Sequence, residues 1–130
     1  DLENYKDAIK CYKKAITINP SFPEAHNNLG NVFKDIGELG DAVKSYKKAL
    51  ELDKNLYEAC HNLGVVFIQL KRFNEAIKSF QNAIEINPNF AKSYNNLGSA
   101  LMEFNDFDLS LENFQKALIL VAILCMIVMR

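Results

Sequence analysis

Asn28, Asn62 and Asn96 stand 34 residues apart, each directly before a Leu-Gly pair: "HNNLG" at 26–30, "CHNLG" at 60–64 and "YNNLG" at 94–98. A primary amide carries one acceptor and two donors, enough to pair with both the C=O and the N–H of an extended backbone. Asparagine is also a mediocre helix former, because its amide competes with the main chain. Helical spacing puts each of these residues on a polar stripe. The stripes run Glu24, Asn27, Asn28, Asn31, Asp35; then Glu58, His61, Asn62, Val65, Gln69; then Lys92, Asn95, Asn96, Ser99, Glu103.

The elements that must carry these stripes follow from the 34-residue period. Three full units align, Pro23–Leu56, Tyr57–Phe90 and Ala91–Leu124, and about thirteen of 34 positions are identical between the first two. In each unit a first apolar stripe recurs at i, i+3, i+4, i+7: His26, Leu29, Gly30, Phe33, then Cys60, Leu63, Gly64, Phe67, then Tyr94, Leu97, Gly98, Leu101. After a break (Gly37 in the first unit) comes a second stripe, such as Leu39, Ala42, Val43, Tyr46, Ala49, Leu50. Each unit is therefore expected to be two helices. A mid-helix glycine costs about 1 kcal/mol against alanine, so Gly30, Gly64 and Gly98 imply a close approach between helices.

Both ends depart from the period. Residues 1–22 align with the second half of a unit, with Ala8, Tyr12, Ala15 and Pro20 at the places of Ala76, Phe80, Ala83 and Pro88, so a lone helix is expected over about Asn4–Ile18, with Asn4 as its cap. At the other end the stop signals "INPSF", "LDKNL" and "INPNF" give way to "LVAIL", and no charge occurs from Ala117 to Met129. One helix is expected there from about Asp108 to about Val128, with Asp106 and Asp108 at its cap. Its uncharged run would be about 20 Å long against a hydrocarbon core of about 30 Å, so a membrane partner is not expected.

Other chemistry is thin. Apolar residues make up 49% and charged residues 24% of the 130, typical of a folded domain, and a net charge of −1 argues against nucleic acid. Cys11, Cys60 and Cys125 make no CxxC pair, which points to a reducing, cytoplasmic setting without a disulfide framework or metal site. His26 and Cys60 fall on packing positions. His61 has no Cys or carboxylate at ligand spacing, and no phosphate loop or nucleophile motif occurs. Neither catalysis nor a cofactor is expected.

The pattern of a bulky residue, Leu-Gly three positions on, an aromatic, Ala, an aromatic, Ala and Pro resembles the tetratricopeptide repeat family. Cys60, Leu63, Gly64, Phe67, Ala76, Phe80, Ala83 and Pro88 meet it throughout; Lys54, Leu101 and Ser110 depart from it. The resemblance implies an all-α, right-handed superhelical solenoid of antiparallel helix pairs: about three and a half repeats, seven helices, one domain. It further implies that the first helices line a concave groove, placing Asn28, Asn62 and Asn96 there as contacts to an extended peptide. First helices about 10 Å apart would then step along about every third peptide residue. Asn27, His61, Asn95, Asn31 and Lys92 would add selectivity. The asparagine column is similar to that of O-linked N-acetylglucosaminyl transferases, which leaves open a substrate-selecting arm of a larger enzyme. Asn31, Asn62 and Lys92 fall at three of the five places of the carboxylate clamp of chaperone-binding repeats. Asn27 and Asn96 stand where the other two places carry cations, so that function is not expected. Two alternatives stay open: asparagines that stiffen the stack and bind nothing, and self-association through the first helix or the Ala117–Met129 helix.

Overall fold

The computed structural model describes residues 2–129 as seven α-helices: α1 (Leu2–Ile18), α2 (Pro23–Asp35), α3 (Leu39–Leu52), α4 (Tyr57–Gln69), α5 (Phe73–Ile86), α6 (Ala91–Met102) and α7 (Phe107–Val128). Three antiparallel pairs, α2/α3, α4/α5 and α6/α7, stack in chain order, with α3 against α4, α5 against α6, and α1 covering α2. First helices also touch directly, α2 with α4 and α4 with α6. The result is the expected solenoid. Its core is a row of residues from successive pairs, among them Tyr46, Leu63, Val66, Phe80 and Leu97.

Each hairpin turns in the same way, and only one of the three turns announces itself by its residue. Gly37, Lys71 and Asn105, one period apart, all have positive φ, at 83°, 59° and 57°. The turn then closes with a backbone bond from the next N–H to a carbonyl five residues back: Glu38 to Phe33, Arg72 to Phe67, Asp106 to Leu101. Glycine enters this region without cost and asparagine with little. Lys71 is held there by its repeat's geometry.

The Leu-Gly glycines have a different role. An added Cβ at Gly64 would lie 2.7 Å from the Phe80 ring, and at Gly30 2.6 Å from the Tyr46 ring. The aromatic of the second helix thus sits on the bare backbone of the first. Gly64→Ala is expected to destabilise by about 1–3 kcal/mol, because a fully buried ring must move. Gly40→Ala, which meets open space in the first turn of α3, should stabilise by about 0.5 kcal/mol. Urea denaturation of the two variants checks the opposite signs.

Two departures from the repeat pattern, Leu101 and Ser110, are accommodated. Ser110 buries its hydroxyl by donating to the Gly98 carbonyl at 2.7 Å, and Leu101 is buried where other units carry Phe. His26 and Tyr94 both reach back six residues, to the carbonyls of Pro20 and Pro88, and so tie α2 and α6 to the loops before them. Two boundary expectations need comment. α1 begins at Leu2, so Asn4 lies inside the first turn and does not cap it; Glu3 there suits the positive helix end. α7 runs Phe107–Val128, and Asp106 caps it by accepting from the Leu109 N–H at 3.3 Å.

Candidate peptide groove

The side chains on the stripes of α2, α4 and α6 form an open cleft of about 490 Å³. α2 contributes Asn31 and Lys34. α4 contributes Tyr57, Glu58, His61, Asn62 and Val65. Phe90 and Lys92 close it from the start of α6. Four of the eight expected groove residues therefore line one cleft: Asn31, His61, Asn62 and Lys92.

The asparagine column is present but unequal. Asn28 is exposed, whereas Asn62 and Asn96 are half-buried. Asn62 Nδ2 donates to Asn27 Oδ1 at 3.3 Å, joining the second repeat to the first. One amide N–H of Asn62 thus serves the stack and leaves its oxygen and second N–H for the cleft. Asn31 is similarly divided: Tyr46 Oη donates to its Oδ1 at 2.6 Å from below. Burial, and then Asp35, raise the Tyr46 pKa, which keeps this donor protonated.

Two of the expected selectivity contacts are largely buried. Asn27 is only 6% exposed and His61 only 8%, because adjacent first helices touch along that edge of the stripe. Asn27 is spent on Asn62. His61 Nδ1 lies 2.9 Å from Ser93 Oγ, and its ring meets Phe90 edge-on at 5.0 Å and Phe80 at 5.5 Å. Tyr57 joins this group through Phe90 at 5.1 Å. His61 is thus a joint between the second and third repeats, with little more than an edge towards the cleft. Burial, then the charges of Lys92 and Lys34, lower its pKa to about 4, so it is neutral at pH 7. Asn95 lies elsewhere. It lines a second, apolar cleft at the end of the stack, with Ala91, Lys92, Phe114, Ala117, Leu118 and Val121.

Spacing alone missed Lys34, Tyr57 and Phe90. Lys34 stands three residues after Asn31, which is one helical turn, so the stripe extended by one step would have reached it. Tyr57 and Phe90 lie at repeat boundaries, where no periodic signal marks orientation. Lys34 and Lys92 approach the cleft from opposite repeats, with Glu58 between them in sequence, so its walls attract carboxylates more than they repel them. Among the described residues no group of His, Cys, Asp or Glu is arranged to hold a metal ion, and Cys11, Cys60 and Cys125 are all free thiols.

Comparison with known proteins agrees with the fold. No curated protein matches the chain. Two crystal structures of MamA superpose with TM-scores of 0.86 and 0.83 at 27% and 28% identity, over 91% and 89% of this chain. The chain spans 69% and 63% of those two. TPR repeat models match residues 1–37 and 30–71, and tetratricopeptide repeat models match 57–90 and 79–112. These matches cover most of the chain: it belongs to the tetratricopeptide repeat family.

Proposed function

We propose that this solenoid is a non-catalytic protein-interaction module that holds an extended peptide of a partner protein in the cleft of α2, α4 and α6. The observation that carries this reading is the convergence of Asn31, Asn62, Lys34 and Lys92 on one open cleft. The asparagine amides pair with peptide backbone, which tolerates many sequences. The two lysines favour an acidic side chain between them. Asn28 and Asn96 extend the same contact one repeat in each direction.

The test is a peptide selected from a random display library on the wild-type protein, then measured by calorimetry. Replacing Asn28, Asn62 and Asn96 together by Ala removes up to three pairs of hydrogen bonds, each contributing about 0.5–1.5 kcal/mol. Affinity should fall by at least about 10-fold. The melting temperature should drop only slightly, since the one bond lost from the stack is Asn62 to Asn27. Unchanged affinity with a large loss of stability would make the asparagines scaffold.

A second reading, self-association, is favoured by α1, none of whose residues is buried. Sedimentation that depends on concentration and is abolished by polar substitutions on the exposed side of α1 would support it.

A further inference from the structure

Two hydroxyls lie wholly inside the stack, and each has a single hydrogen-bond partner. Tyr46 and Ser93 are both 0% exposed. Tyr46 Oη donates to Asn31 Oδ1 at 2.6 Å, and Ser93 Oγ lies 2.9 Å from His61 Nδ1. Both partners line the cleft of α2, α4 and α6. The hydroxyls themselves are out of reach of anything bound there.

Asn31 is the simpler of the two partners. With its oxygen held by the phenol, the amide turns its N–H pair away from the core, and Nδ2 bonds to no other residue. For His61 the proton must be placed. The ring is neutral at pH 7, because burial, then Lys92 and Lys34, lower its pKa to about 4, so one nitrogen carries the proton. Ser79 and Ser110, also buried, donate to main-chain carbonyls, whereas Ser93 has no acceptor except Nδ1. A ring proton on Nδ1 would strand the Ser93 donor, at a cost of about 1–3 kcal/mol. Ser93 therefore donates to Nδ1, and the ring proton sits on Nε2. Nε2 has no partner within the protein, and no buried side-chain nitrogen or oxygen of the described residues lacks one. Nε2 is thus on the exposed edge of the ring, the edge that reaches the cleft. Phe90 and Phe80 pack against the ring at 5.0 and 5.5 Å and hold that orientation.

We propose that Tyr46 and Ser93 are positioning residues that fix the polarity of the cleft, so that Asn31 and His61 present N–H groups to which the bound peptide must offer an oxygen. The inference rests on the peptide reading of the cleft and names the chemistry selected there. Lys34 and Lys92 line the same cleft, and Glu58, the carboxylate of the lining, is exposed and forms no ion pair among the described residues. The oxygen comes from a side-chain carboxylate or from a main-chain carbonyl. At the preceding joint Asn27 and Ala59 take the places of His61 and Ser93, so the relay through histidine belongs to the joint of the second and third repeats.

The repeats themselves supply the variants. Phe80 and Phe114 stand where Tyr46 does, and Ala25 and Ala59 where Ser93 does, so Tyr46→Phe and Ser93→Ala suit the same packing. In protein labelled with nitrogen-15 at histidine, long-range proton–nitrogen correlation reads the tautomer, and His61→Asn identifies the His61 signals. Wild type should show the His61 proton fixed on Nε2, with that signal moving when a library-selected peptide is added. Ser93→Ala should shift the ring towards a mixture of tautomers. The double variant Tyr46→Phe with Ser93→Ala should stay fully helical and bind the peptide about 3- to 10-fold more weakly. Replacing the acidic residues of the peptide by Ala separates the two sources of oxygen. The penalty of the double variant disappears with that peptide if a carboxylate is the acceptor, and persists if a carbonyl is. A His61 proton on Nδ1 would overturn the proposal. Equal affinity of wild type and double variant would also overturn it, while leaving the peptide reading in place. A wild-type protein that captures no peptide from the library would remove both.

Discussion

Phe80→Ala is expected to destabilise the protein by about 3–5 kcal/mol, the largest loss of any single truncation. Phe80 is 0% exposed and carries three loads at once. Its ring fills the space left bare by Gly64, as the 2.7 Å approach of a would-be Cβ shows. It backs the His61 ring at 5.5 Å, and so supports the joint to the third repeat. It also belongs to the continuous core formed by successive pairs. No small side chain can refill that volume, because the glycine opposite cannot move inward without breaking its own helix. Phe114 sits one period later and meets Gly98 in the same way, but it is only half-buried. Phe114→Ala should therefore cost clearly less. Urea denaturation of both variants gives the comparison; equal losses would contradict the view that each repeat is stabilised by the next.

A second large effect is expected from acid. His61 has its pKa lowered to about 4, chiefly by burial and then by Lys92 and Lys34. In the unfolded chain it returns to about 6.5. Between those values the unfolded state binds more protons than the folded one, so stability falls as pH falls. The contribution is complete above about pH 6.5. It should be reduced by about 2 kcal/mol at pH 5 and by about 3 kcal/mol below pH 4. Carboxylates also titrate in the lower part of this window, so the variant His61→Asn supplies the reference; Asn already occupies the equivalent places 27 and 95. The difference in stability between wild type and His61→Asn should shift in favour of Asn as pH drops from 7 to 5. A difference that stays constant over that interval would show that His61 is not held neutral by the joint.

The period made the architecture legible because it is carried by packing residues, and packing is what repeats. Leu29, Gly30 and Tyr46 return as Leu63, Gly64 and Phe80, and the contacts return with them. The hairpin turns were half legible: Gly37 could be read, whereas Lys71 takes the same left-handed backbone because its repeat imposes it. The cleft was legible as a stripe but not as a surface. Positions 27 and 28 are neighbours on a helix, 100° apart, and only the touching of α2 with α4 decides that Asn27 is buried and Asn28 exposed. The partner chosen by His61 was equally hidden, since Ser93 stands at a place where the other repeats carry Ala25 and Ala59. The start of α1 was misplaced at Asn4 because a capping residue was sought inside a segment whose helix begins earlier.

The central claim is that the face formed by α2, α4 and α6 is the surface that works. A photo-reactive benzoylphenylalanine can be placed at Val65, in the cleft, or at Lys48, exposed on the outer face of α3. With a library-selected peptide bound, illumination should cross-link it to position 65 and not to position 48, and excess unlabelled peptide should abolish the adduct. Cross-linking that is equal at the two positions, or stronger at 48, would contradict the account and move the binding surface to the outer helices.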